Sequence, residues 1–183
     1  LAWQLIPAPW RFSIWKEFGL RYSLRMALSF HVHVDRQLME VRSGHETIWA
    51  VPVSTSRFGL GETYDSYKTP RGRHHVEEKI GDGEPRGRVF KARQPQEEIW
   101  APGNAVDCEG LEKDLDLILT RILWLAGDEL ENQNTHSRYV YFHGTNREDQ
   151  IGQPASHGCI RLRNEDILRL FDFAEPGTQV WIA

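Results

Sequence analysis

The 183-residue chain is predicted to fold as a mainly β single domain carrying one short helix near its C-terminus. Three observations lead there. Short β-branched and aromatic runs recur along most of the chain, Gly and Pro punctuate residues 54–88 too densely for helix, and only one segment, beginning at Asn164, has clear helical spacing. At 21.3 kDa the folded surface scales to roughly 9,000 Å² against roughly 31,000 Å² for the extended chain, enough burial for one real core. Lys and Arg number 22 against 26 Asp and Glu, a formal charge of −4, which removes the general pull toward phosphate backbones and makes nucleic acid an unexpected partner. Every window of about 18 residues contains charge, so no membrane span is expected.

Residues 1–29 are aromatic but interrupted by Arg11, Lys16, Glu17, Arg21 and Arg25. They read as an arm or edge strand of unknown role, without the clean apolar core of an export signal. From Phe30 onward the strands begin. His31-Val32-His33-Val34 and Leu38 to Val41 flank Asp35-Arg36-Gln37 as a hairpin, and residues 46–53 form a β-branched and aromatic strand before the turn-rich residues 54–61. Residues 54–88 read as loops around short strands at 73–76 and 88–91. Residues 107–126 are open between helix and strand, with a buried strand favoured at 118–125 and ended by Gly127. Residues 138–142 form a strand running into His143-Gly144. Asn164 reads as an N-cap, with Glu165 and Asp166 in the first turn and Pro176-Gly177 as the stop. Residues 178–182 close the chain as a last strand.

The densest chemistry lies at Ser156-His157-Gly158-Cys159. A thiol acting as acyl acceptor needs a base or imidazolium, a group that orients the base, and donors for an oxyanion. Gly158 permits a close turn of the backbone beside Cys159, and His143 can reach the thiol only through the fold. Cys108 has no such context and reads as a loop or core thiol. His31 and His33 share a strand face and His74 and His75 point apart, but no Cys-x-x-Cys or His-Glu-x-x-His spacing occurs, so no metal site is expected.

His143-Gly144-Thr145, followed by Ile151-Gly152-Gln153-Pro154-Ala155-Ser156-His157-Gly158-Cys159-Ile160-Arg161-Leu162, resembles the active-site signature of the L,D-transpeptidase (YkuD-like) catalytic domain. Pro52-Val53-Ser54-Thr55, Thr69-Pro70-Arg71-Gly72 and Gly177-Thr178-x-Val180 extend the likeness over residues 30–183, which form the expected catalytic domain. Residues 1–29 and 104–113 match nothing in the family pattern. The resemblance implies an L,D-transpeptidase-like β-sandwich or mixed sheet with the short helix after the cysteine. It makes Cys159 the nucleophile and His143 the base, held by the Gly144 carbonyl. The backbone N–H groups of Gly158 and Cys159 become the oxyanion site. It implies a cysteine acyltransferase of peptidoglycan stem peptides: a thioester forms, a terminal D-amino acid leaves, and the acyl group passes to an amine. The alternatives are hydrolysis of the same thioester, as an L,D-carboxypeptidase or amidase, and a non-catalytic muropeptide-binding module. No cofactor is implied, carbapenem-type lactams become expected covalent inhibitors, and the location by analogy is the cell envelope or periplasm.

Around that core, His157 and Ser156 are candidates for contact with substrate, with loop-shaping roles as the alternative. Arg161 either holds a substrate carboxylate in its fork or pairs internally with an acid. Arg121, Tyr64 and Tyr67 are further candidates to approach the cleft, although a structural or surface role is the simpler reading of each.

Overall fold

A computed structural model describes residues 27–102 and 116–183. The expectations for residues 1–26, for Cys108 and for the start of the ambiguous 107–126 stretch lie outside the described residues. The described elements are β1 (Leu28–His33), β2 (Leu38–Ser43), β3 (Glu46–Pro52), β4 (Gly72–Ile80), β5 (Arg88–Lys91), β6 (Gln94–Ile99), β7 (Ile118–Gly127), β8 (Tyr141–Gly144), β9 (Ile160–Leu162), the helix α1 (Asn164–Phe173) and β10 (Gln179–Ile182). A single 3-10 turn, Glu148–Gln150, lies between β8 and β9. None of the described helices is long and apolar enough to cross a membrane.

The ten strands form one mixed sheet in the order β3-β2-β1-β10-β4-β7-β5-β6, with β8 on β7 and β9 on β8. The β1–β10 and β8–β9 pairs are parallel and the others antiparallel. The sheet curls back on itself. Phe30 of β1 meets Phe142 of β8 edge to face at 6.2 Å although the strands are not neighbours, and Ser54, just after β3, exchanges two 2.9 Å backbone hydrogen bonds with Arg161 of β9. The main core fills the inside of that curl with Phe30, Val41, Val76, Leu123, Phe142 and Ile160, closed by Ile167, Leu170 and Phe171 of α1. Each fully buried aliphatic or aromatic side chain contributes about 1.5–3 kcal/mol, so this cluster dominates stability.

α1 forms where Ile167, Leu170 and Phe171 recur at helical spacing on one buried face, with Glu165 and Asp166 at the electropositive end. Two boundaries differ from the sequence reading. Arg163, not Asn164, occupies the cap position and its own side chain makes no cap bond; the carboxylate of Glu148 accepts from the Asn164 N–H at 2.8 Å instead. Asn164 is fully buried because its amide ties the Thr145 carbonyl and Glu148 to Thr120; these tertiary bonds replace the local cap. Strand β8 begins at Tyr141 rather than at Arg138, since Tyr139 takes a left-handed φ of 58° that ends a ladder.

Candidate active site

β7, β8 and β9 give the site its frame. In β7–β8, Ile122 faces His143 and Trp124 faces Tyr141; in β8–β9, His143 pairs with Arg161 and Phe142 with Ile160. Alternation sends Phe142, Leu123 and Ile160 into the main core. The opposite face then carries Ile122, Trp124, Tyr141, His143 and Arg161, and Cys159, two residues before Arg161, falls on it as well. A strand spacing of about 4.8 Å and a rise of about 3.3 Å per residue put Cys159 and His143 roughly 8 Å apart along the diagonal, within reach of their side chains. Cys159 is a free thiol, half-buried, and packs on the second apolar cluster of Phe90, Ile122, Trp124 and Tyr141.

The imidazole is oriented by the backbone. His143 is 3% exposed and its Nδ1 lies 2.8 Å from the Gly144 carbonyl. A carbonyl only accepts, so Nδ1 donates and Nε2 is left with its lone pair. Burial holds the His143 pKa below the ordinary 6.5. Gly144 is required there, because an added Cβ would come within 2.5 Å of Asn164 Oδ1 and 2.9 Å of the Leu119 carbonyl.

The thiol lies in a backbone cradle. Cys159 Sγ donates to the Tyr139 carbonyl at 3.5 Å, and a bond from the Tyr141 backbone also reaches it. Burial pushes the thiol pKa up to about 12, against the smaller opposing effect of that Tyr141 bond. At neutral pH both partners are therefore uncharged at rest. The loop before Cys159 is pinned from inside. Ser156 Oγ donates to the Cys159 carbonyl at 2.6 Å and accepts from Gly158 N–H at 3.2 Å, and Thr69 Oγ1 donates to the Gly158 carbonyl at 3.0 Å. Gly158 turns this loop at φ 123°, a conformation that disfavours any side chain.

The sequence candidates separate on this geometry. His143 and Cys159 share one face of the β8–β9 pair, each with its glycine, Gly144 or Gly158, next to it in the chain. His157 is exposed and stands at the rim, where Arg57 meets its Nε2 and the Tyr67 ring lies edge-on at 6.0 Å. Ser156 is 1% exposed and serves the loop. Gly158 N–H points at Ser156 rather than toward an oxyanion. Arg161 is 1% exposed and takes the internal one of its two alternatives: it pairs with Asp116 at 2.8 Å and donates to Ser54 and Gln150. Arg121 turns away, to the Glu84 and Thr120 carbonyls and over the Phe171 ring. Tyr64 and Tyr67 line a cavity of about 200 Å³ beside Cys159, closed on its other side by Arg138, Tyr139 and Val140.

Sequence reasoning passed over Asp116, Tyr139 and Arg93. Asp116 accepts from Thr145 Oγ1 at 2.8 Å as well as from Arg161, and its charge acts on both His143 and Cys159. No short-range pattern marks it; only β7 carries it toward the site.

The curled mixed sheet carries a backbone-oriented imidazole on β8 and, just before the parallel strand β9, a free thiol on the same face. The L,D-transpeptidase catalytic domain (YkuD) matches residues 29–182. The chain belongs to that family. It is similar to YqjB of Bacillus subtilis, a protein named within the same family, with 39% identity over 59 residues, 32% of each chain. Its fold is similar to L,D-transpeptidase 3 from Mycobacterium tuberculosis in complex with a faropenem-derived adduct (TM-score 0.52, 19% identity, 85% of this chain and 60% of that one). It is also similar to the LD transpeptidase LdtMt1 in complex with imipenem (TM-score 0.51, 21% identity, 86% of this chain and 59% of that one). The chain thus spans less than two thirds of each of these relatives.

Proposed function

We propose that this domain is a cysteine acyltransferase acting on peptidoglycan stem peptides through a thioester on Cys159. The observation that carries the reading is the tautomer: Nδ1 of His143 is committed to Gly144, which leaves Nε2 as a proton acceptor, on the sheet face that also carries the thiol. His143 Nε2 takes the Cys159 proton as sulfur attacks the carbonyl before the terminal D-amino acid. The two steps are coupled, because burial disfavours a preformed thiolate. The carbonyl oxygen gains the negative charge and is held by the Cys159 N–H; one such donor contributes about 3 kcal/mol in related acyl-transfer sites. Collapse breaks the C–N bond, and the imidazolium proton leaves with the amine of the D-amino acid. An acceptor amine then attacks the thioester, gives its proton to His143, and the thiolate takes that proton back. The cavity bordered by Tyr64, Tyr67 and Tyr139 supports entry of the acyl donor, and the family supports an envelope location.

The test is to incubate the protein with muropeptide tetrapeptides and resolve the products by mass spectrometry. Cross-linked dimers with released D-alanine are expected from the parent, and none from Cys159→Ala. Trimmed monomers alone would reassign the enzyme as a carboxypeptidase, and unchanged tetrapeptide would leave only a binding module.

A further inference from the structure

The hairpin β5–β6 ends in a two-residue turn: Lys91 pairs with Gln94, and Ala92 and Arg93 between them have φ of 48° and 67°. Such turns favour Asn-Gly, because left-handed backbone is strained for other residues. Here an arginine occupies the strained position, and its guanidinium is laid on a prepared surface. It stands 4.8 Å from the Trp124 ring centroid and 4.9 Å from that of Tyr139, and Nη1 reaches the Tyr141 hydroxyl at 3.4 Å. Among the described residues no carboxylate lies within ion-pair distance of it. The same residues adjoin the thiol: Cys159 packs on the cluster that contains Trp124 and Tyr141 and donates to the Tyr139 backbone carbonyl. Tyr139 thus belongs to both surfaces: it lines the cavity with Tyr64, Tyr67 and Cys159, and its ring carries the Arg93 guanidinium.

We infer that Arg93 is a carboxylate-binding residue for the stem peptide, a specificity determinant displayed by the β5–β6 hairpin beside Cys159. A guanidinium stacked on aromatic rings has already lost most of its rotamer freedom, and its free edge presents paired N–H donors to a planar carboxylate. Among the described residues its charge is met only by the Tyr141 hydroxyl and, at longer range than an ion pair, by Glu78, so a ligand carboxylate need not displace an internal ion pair. This inference rests on the stem-peptide reading above. The carboxylate belongs either to the terminal D-amino acid of the acyl donor or to the acceptor stem, and both present the same chemistry.

The experiment reads binding apart from catalysis. Calorimetry on the full chain carrying Cys159→Ala compares a tetrapeptide stem with the same peptide amidated at its carboxylates. The free acid is expected to bind about tenfold to a hundredfold more tightly, as charge-assisted pairs do. Adding Arg93→Gln should erase the difference, and Arg93→Lys should restore part of it. Equal binding of acid and amide, or a preference that survives Arg93→Gln, overturns the inference. In the parent, thioester formation with each donor and thioester transfer to each acceptor identify which carboxylate is held. A parent that prefers the acid in binding but never forms a thioester would sink the acyl-transfer reading and leave the Arg93 subsite standing.

Discussion

Replacing Arg161 by Ala removes a guanidinium that is 1% exposed and holds Asp116 at 2.8 Å, Ser54 Oγ at 2.8 Å and Gln150 Oε1 at 3.0 Å. Breaking a buried pair from one side costs about 3–5 kcal/mol, because the abandoned charge stays behind. The Asp116 side chain is 25% exposed, so water recovers part of its hydration and the pair itself falls near 3 kcal/mol. The stranded Ser54 and Gln150 acceptors bring the total to about 4 kcal/mol. For a domain of this size that is a drop of roughly 8–16 °C in Tm. Urea and thermal unfolding of the parent, Arg161→Ala, Asp116→Asn and the double variant complete a cycle, and the two single losses are expected to be strongly non-additive. A loss below about 1 kcal/mol together with a raised KM for stem peptide would refute internal pairing and return Arg161 to the substrate.

Three further outcomes are expected. Because burial lowers the His143 pKa and raises that of Cys159 to about 12, acylation should rise with pH through a limb below 6.5, where His143 loses its proton, and then stay level to about pH 10. An alkaline limb near the free-thiol value of about 8.5 in the parent would contradict the buried neutral pair. His143→Ala should acylate very slowly at neutral pH and recover only as the thiol itself ionises toward pH 12; a variant as fast as the parent at pH 7 would remove His143 as the base. Gly144→Ala places a Cβ 2.5 Å from Asn164 Oδ1 and 2.9 Å from the Leu119 carbonyl, so a stability loss of about 1–3 kcal/mol and slower acylation should appear together. Unchanged Tm and acylation rate would show that the carbonyl holding His143 tolerates displacement.

The strands that build the curled core were legible by two patterns: in β1 the buried Phe30 and Val32 alternate with the partly exposed His31 and His33, and β7 is a continuous apolar run, Ile122 to Leu125, buried on both faces. Strand β6 was not. Gln94–Ile99 is polar and contains Pro95, and it is held by backbone pairing to β5 at the sheet edge rather than by an apolar face. At the site, the local motif made Cys159, Gly158 and His143 readable. What surrounds them was not, because it arrives through tertiary contacts: Asp116 by the start of β7, Arg93 by a hairpin tip, and Tyr139 by a left-handed φ that no local pattern announces. Arg161 shows the limit most plainly. One residue type served two opposite readings, and only burial between Ser54 and Asp116 separated them.

The most direct measurement is intact-mass and peptide-mapped detection of acylation by imipenem. The parent is expected to gain one adduct, on Cys159, Cys159→Ala none, and His143→Ala an adduct only slowly at neutral pH. An adduct on any other residue, or on the Cys159→Ala protein, would contradict a thiol served by His143 as the reacting centre.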